Sequence, residues 1–182
     1  MLDRRQFIKQ SVAWSGCLLL PSCLHAPRKG LYRVFTEEEA GCLIALCEQV
    51  IPADDTPGAT EAGVVFYIDT TVSHYFPLTT GMYKSGIASL QTYCRSEYGN
   101  LFETLEPSRQ TEIMKAMEAG ELPSDAWSAD VSQQSFMSML VQHTMQGFYG
   151  PPRHGGNRHY VSYRMLKLDF PLVAGQNRYG NG

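Results

Sequence analysis

The stretch of sequence that decides the fold is FTEEEAGCLIALCEQVIPADDTPGAT, residues 35–60. Thr36 followed by Glu39 is a capping box, and the acidic residues around it suit the positive end of a helix dipole. Apolar residues then recur with the spacing of one helix face, at Leu43, Leu46, Cys47 and Val50. Pro52 ends this pattern, and the Asp, Pro and Gly residues after it favour a turn. The stretch therefore predicts a capped amphipathic helix that leads into a tight turn.

Four further segments outward from this stretch carry apolar residues at helical spacing. We expect helices over about residues 60–74, 80–98, 107–119 and 129–147. No alternating pattern of useful length indicates a strand, and a short helix is predicted near residues 163–168. The sequence thus predicts an all-α protein, a compact bundle of about five helices with an irregular C-terminal segment rich in Gly, Pro and aromatic residues.

This C-terminal segment begins with GFYGPPRHGGNRHY, residues 147–160, which holds four glycines and two prolines. Its aromatic residues would be unusual in a disordered tail. Two interpretations stay open: a segment that is ordered by docking on a partner, or a loop folded back over its own helices. If it docks, aromatic and Arg side chains would carry the binding, with Gly and Asn allowing close backbone approach. The residues predicted to bind the partner are Phe148, Tyr149, Pro152, Gly155, Gly156, Asn157, Arg158 and Tyr163.

The first residues of the chain, MLDRRQFIK, resemble a twin-arginine export signal. The residues that carry the resemblance are Arg4, Arg5, Phe7 and Lys9. An apolar run over residues 11–23 follows, too short to span a bilayer. Because the twin-arginine route carries folded proteins, this signal predicts export of a folded cargo through the twin-arginine translocon.

The end of the signal has two interpretations. Leu20-Pro21-Ser22-Cys23 resembles a lipobox, in which Cys23 would become lipidated, although Pro21 departs from the usual small residue. Alternatively, the signal is cut near Ala26 or is left uncut. We assign residues 1–23 to the signal, residues 24–34 to a tether and residues 35–182 to a helical domain.

Charge and cysteine content exclude several classes of protein. The formal net charge is −3, and residues 1–23 contribute three basic residues and one acid. An acidic mature chain argues against a nucleic-acid binder. Neither CxxC nor CxxCH occurs, so zinc-ribbon and c-type haem sites have no support. We expect Cys47 and Cys94 to be buried free thiols, although one disulfide among Cys42, Cys47 and Cys94 stays open.

Motifs for catalysis are missing from the sequence. It contains no GxGxxG after a strand, no GxSxG, no P-loop and no HExxH. The best candidate metal ligands are His154 and His159, joined by His143 and an Asp, and this spacing is unspecific. Asp54 and Asp55 could form an acid/base pair, but adjacent aspartates in a Pro/Gly turn more often cap it. We expect no catalytic, cofactor-binding or metal site in this chain.

Two separated stretches resemble the gluconate 2-dehydrogenase subunit 3 family. The first is residues 35–69, with Ile-Pro-Ala-Asp-Asp-Thr-Pro-Gly-Ala after the capped helix and a second helix that reaches Ile-Asp. The second is residues 143–166, similar to the family's closing Gly-Phe-x-x-x-Pro-x-x-Gly-Gly-Asn segment. The chain departs from the family at Tyr163, where Trp is more usual, and at Arg153-His154, where an acid or Tyr is commoner.

The resemblance implies a non-catalytic small subunit of an FAD-dependent sugar or polyol dehydrogenase. The partner would be an FAD-binding large subunit of the glucose–methanol–choline type, in some complexes with a c-type cytochrome. The small subunit would assist maturation of the large subunit and its export to the periplasm, where the complex or a lipid anchor holds it at the inner membrane. The alternatives are a free-standing periplasmic metalloenzyme that uses His143, His154 and His159, and a structural lipoprotein.

Overall fold

The computed structural model of the chain describes residues 30–168, which form six α-helices and no strand. The predicted all-α class is therefore confirmed. The export residues Arg4, Arg5, Phe7 and Lys9, together with Cys23, lie outside the described residues. The helices are α1 Glu37–Val50, α2 Val64–His74, α3 Pro77–Tyr98, α4 Pro107–Ala119, α5 Gln133–Tyr149 and α6 Val161–Met165.

Helix α1 has the predicted capping box. The Thr36 hydroxyl accepts from the Glu39 N–H at 3.1 Å, and the Glu39 carboxylate accepts from the Thr36 N–H at 2.8 Å. After α1, the Glu48 carboxylate holds the turn by accepting from the N–H groups of Ala53 and Thr60, both at 2.8 Å. The carboxylate lies so close to Gly58 that a Cβ there would clash with it. This contact explains why glycine follows proline in the turn.

Helix α5 is the centre of the bundle, because it packs against each of the other five helices. Its buried face was predicted from the apolar spacing. Tyr83 of α3 is fully buried and meets Phe136 of α5 edge-on, with ring centroids 6.0 Å apart. The largest other side chains with no exposed surface are Leu43, Leu46, Ile68, Leu90, Phe102, Met117, Leu140 and Phe148.

Three helices begin later or earlier than the sequence predicts. Helix α2 begins at Val64 rather than near 60, because hydrogen-bonded turns occupy the residues before it and end at Gly63, whose φ is +67°. Helix α3 begins at Pro77, a residue type that is common at the first helical position. Helix α5 begins after Ser132, whose hydroxyl accepts from the Ser135 N–H at 3.1 Å.

The N-terminal approach to the bundle is tied to α2. Asp69 is buried, and its carboxylate accepts from the backbone N–H groups of Arg33, Val34 and Phe35 at 2.8, 3.0 and 3.4 Å. Tyr32 and Val34 also pack against the core. The last residues of the predicted tether, 24–34, are thus part of the folded unit. Among the helices of residues 30–168, none is long and apolar enough to cross a membrane.

Candidate partner-binding site

The C-terminal segment is folded back over α2 and α5. After α5 the chain makes 3-10 turns at Pro152–His154 and Arg158–Tyr160 before entering α6. Gly155 has φ +102°, and a Cβ there would lie 3.0 Å from the Phe66 carbonyl oxygen of α2. A Cβ at Gly156 would lie only 2.2 Å from the Gly147 carbonyl oxygen of α5. The two glycines therefore let the segment lie directly on this chain's own helices.

Asn157 holds the segment from the inside. Its side chain is fully buried, where its Nδ2 donates to the Gly150 carbonyl at 2.9 Å and its Oδ1 accepts from the Ser162 N–H at 3.0 Å. The backbone is left-handed here, with φ +43°, a conformation that asparagine tolerates better than most residues. Asn157 thus connects the end of α5 to the start of α6.

Arg158 fastens the segment to α2. Its backbone N–H donates to the Ala62 carbonyl at 2.9 Å, and its guanidinium carbon lies 3.5 Å from the centroid of the Phe66 ring. The arginine stem passes over Gly63, where a Cβ would clash with it. A cation on an aromatic face is stabilised by the ring quadrupole, and the remaining guanidinium donors stay in solvent.

The eight residues predicted to bind a partner divide into three groups by exposure. Phe148, Gly156 and Asn157 are buried, so in this conformation they serve the fold. Tyr149 and Arg158 are exposed. The half-buried members are Pro152, Gly155 and Tyr163. Partner binding by these residues stays a prediction. The set of residues that could contact a partner in this conformation is reduced to those whose side chains reach the surface.

A continuous basic and aromatic surface surrounds Arg158. On one side, the Tyr32 ring stacks on Phe66 at 5.4 Å, and Arg33 Nη1 lies 3.2 Å from His74 Nε2. On the other side, the Tyr75 ring meets His154 edge-on at 6.2 Å. We name this surface the basic–aromatic face and define it by Tyr32, Arg33, Phe66, His74, Tyr75, Arg153, His154 and Arg158.

The three histidines of the alternative metal site have separate environments. His143 is buried, with Nδ1 hydrogen-bonded to the Tyr83 hydroxyl at 3.0 Å, and burial lowers the pKa of its imidazole. His154 accepts from Arg153 Nε at 3.0 Å, and His159 is exposed beside an open groove. Within residues 30–168, no three His, Cys, Asp or Glu side chains lie close enough together to hold a metal ion.

Asp54 and the cysteines have structural surroundings. The Thr56 N–H and hydroxyl both donate to Asp54 Oδ1 at 2.8 Å, and these bonds lower the pKa of the exposed carboxyl. Cys42, Cys47 and Cys94 are buried free thiols, as predicted for the last two. Burial raises the pKa of Cys47 and of Cys94 to about 12, which keeps both as thiols rather than reactive thiolates.

Sequence reasoning missed the contribution of α2 to this surface. Neither Phe66 nor Tyr75 was among the residues predicted to bind a partner, and Arg33 lay in the predicted tether. The sequence signal for these residues is the presence of aromatic side chains at 66 and 75 together with Arg and His residues at 153–159. In the structure Arg158 contacts Phe66, and His154 contacts Tyr75.

Comparisons with known proteins agree with these features. A family model described as gluconate 2-dehydrogenase subunit 3 matches residues 37–169, from the first residue of α1 to just beyond α6. Searches of curated proteins and of solved structures found no match. The family match covers well over half of the chain and includes both the turn after α1 and the Gly-Gly-Asn segment over α5. The chain therefore belongs to the gluconate 2-dehydrogenase subunit 3 family.

Proposed function

We propose that this chain is the non-catalytic accessory subunit of an FAD-dependent sugar or polyol dehydrogenase. It binds the glucose–methanol–choline-type large subunit after FAD insertion and carries it through the twin-arginine translocon. The assembled complex then works on the periplasmic side of the inner membrane, with a c-type cytochrome as a further subunit. The observation that carries this proposal is the family match over residues 37–169.

Two features of the chain support the escort role. The Arg4-Arg5 pair stands ahead of an apolar run, as an export signal for folded cargo requires. The basic–aromatic face offers Arg and Tyr side chains, which are the residue types that most often dominate protein interfaces. The chain would thus supply the export signal, and its partner would supply the catalytic activity.

The export test replaces both arginines of the signal. Arg4→Lys with Arg5→Lys keeps the positive charge that the general secretory route needs, so only the twin-arginine translocon should respond. We expect both this chain and the flavoprotein to stay in the cytoplasm, measured by fractionation and flavin fluorescence. Normal periplasmic levels of the flavoprotein in this variant would overturn the escort role.

Purification of the tagged chain from its native host separates the proposal from the alternatives. The accessory-subunit role requires a co-purifying protein that contains FAD and that mass spectrometry identifies as a dehydrogenase. A stoichiometric metal in the purified chain, with no flavoprotein, would favour the metalloenzyme. A chain that purifies alone and without metal would favour the structural lipoprotein.

A further inference from the structure

We propose that the basic–aromatic face, together with the neighbouring apolar corner between α2 and α3, is the surface that holds the catalytic subunit, and that it fits an acidic surface around an apolar recess. This inference rests on the proposed function and adds to it the location and the chemistry of the contact. The corner is formed by Tyr75, Phe76 and Leu78.

The first argument is that the face is continuous. Its contacts pass from Arg158 to Phe66, from Phe66 to Tyr32, and along the backbone to Arg33. They continue from Arg33 through the His74 ring to Tyr75, whose ring contacts His154. Arg153 and His154 lie in the same segment as Arg158. Three parts of the sequence far apart in the chain thus form one surface.

The second argument is the charge of this surface. Arg33, Arg153 and Arg158 are all exposed. The two ion pairs among residues 30–168 lie elsewhere, Lys84 with Glu39 and Arg109 with Glu112. Asp69, the acid behind the face, is buried and already accepts three backbone N–H groups. Glu37 at the start of α1 lies near Tyr32, but none of the three arginines forms an ion pair within residues 30–168. This side of the molecule therefore presents positive charge that an acidic partner surface would neutralise.

The third argument is the apolar corner that adjoins the face. Leu78 is 91% exposed, Tyr75 61% and Phe76 54%, although the Phe76 ring is anchored at its inner side by stacking on His143. The backbone of the corner is nevertheless well bonded, because the Tyr75 and Phe76 N–H groups both donate to the Thr71 carbonyl. Three adjacent large apolar side chains on a firm backbone suit insertion into a recess.

The donors of the face favour a protein surface over a lipid bilayer. The guanidinium groups of Arg33 and Arg153 each contact a histidine ring, and that of Arg158 lies on Phe66. These contacts fix the directions in which the remaining N–H donors point. A guanidinium group held in one orientation suits carboxylates at fixed positions. Lipid headgroups are mobile, so binding to a bilayer requires only a diffuse positive charge.

The test uses the tagged full-length chain in its native host, with matched pairs of variants. One pair reverses charge on the face, Arg33→Glu with Arg153→Glu, and its control reverses two exposed cations elsewhere, Arg95→Glu with Lys115→Glu. A second pair removes the corner, Phe76→Ser with Leu78→Ser, and its control removes two exposed apolar residues of α5, Val141→Ser with Met145→Ser. Arg158 is left in place because it also fastens the fold.

We expect each face or corner pair to lower the flavin recovered with the chain by roughly tenfold or more. The control pairs should keep wild-type recovery, and melting temperatures should show that all variants are folded. If the wild-type chain recovers no flavoprotein, the proposed function fails. If the wild type recovers it and the face and corner variants do so equally well, the proposed function stands and this inference is overturned.

A crosslink from the corner identifies what covers it. A photo-crosslinking phenylalanine analogue at position 78 should link to the flavoprotein, at a peptide close to Asp or Glu residues. Crosslinks only to lipid, or only to a second copy of this chain, would overturn the inference even if the charge variants weaken recovery.

Discussion

At the scale of single residues, Asp69 and Gly156 each determine how a distant part of the backbone packs. Asp69 uses its carboxylate to fix the three residues that precede the Thr36 cap of α1, and Gly156 allows the C-terminal segment to touch the backbone of α5. Both lie within motifs that the sequence offered as family patterns. Their physical reasons become visible only when the distant backbone that they contact is known.

Asp69→Asn should destabilise the fold. The amide keeps one acceptor oxygen but places an NH₂ group where the carboxylate accepted a backbone N–H, so at least one buried donor loses its partner. We expect a loss of about 1–3 kcal/mol in the free energy of unfolding, measured by urea titration. The same change at exposed Asp55 is the control and should have little effect. Equal stability of the two variants would contradict the role of Asp69.

Gly156→Ala tests the close approach to α5. The new methyl group would lie 2.2 Å from the Gly147 carbonyl oxygen, so the segment would have to move away. We expect a loss of about 1–3 kcal/mol in unfolding free energy. Gly81→Ala is the control, because open space surrounds that position in the second turn of α3. There alanine should be neutral or stabilising, and a similar loss in both variants would contradict the packing argument.

At the scale of elements, the helices could be predicted well and the C-terminal segment could not. Helices can be predicted from local signals such as the Thr36 cap and the apolar spacing of α1, because these signals involve only residues close together in the sequence. The C-terminal segment depends on long-range contacts, such as Arg158 on Phe66, that no local pattern encodes. Its left-handed residues include Asn157, His159 and Tyr160, and long-range packing must hold Tyr160 in a conformation that tyrosine does not favour by itself.

Arg158→Ala should loosen this element, and Arg153→Ala should not. The first change removes the guanidinium from the Phe66 ring and uncovers α2. Arg153 is exposed, and its side chain donates to the neighbouring His154. We expect amide exchange of residues 152–163 to become faster in Arg158→Ala alone, measured by mass spectrometry. Unchanged exchange in that variant would mean that the glycines and Asn157 hold the segment without the arginine.

At the scale of the whole molecule, α5 joins the bundle through both apolar and polar contacts. The fully buried Phe136 and Leu140 could be predicted from periodicity. The hydrogen bond of His143 to Tyr83 and its stacking on Phe76 connect α5 to α3 and to the apolar corner. The sequence could not show this connection because it joins residues about sixty positions apart.

The buried imidazole makes the stability of the molecule depend on pH. Burial lowers the pKa of His143, so the folded state binds a proton more weakly than the unfolded chain, whose imidazole titrates near 6.5. The stability that neutral His143 provides is therefore present above about pH 6.5 and declines as the pH falls below it. Urea unfolding at several pH values measures this slope.

The variants His143→Gln and His159→Gln separate this effect from general acid sensitivity. His143→Gln should flatten the decline between about pH 6.5 and pH 5, because the titrating group is gone. His159→Gln changes an exposed imidazole and should leave the slope as in the wild type. Equal slopes in all three proteins would show that His143 does not control acid stability.

The carboxylate clamp at Asp69 also imposes an order of events during synthesis. Asp69 follows Arg33 by 36 residues, so the ribosome must complete most of α2 before residues 33–35 can be fixed. Until then these residues lack their anchor on α2, and afterwards their backbone N–H groups are held by its buried carboxylate. The clamp thus couples the folding of α2 to the stretch of chain that lies closest to the proposed export signal, where a translocon that accepts only folded cargo would encounter it.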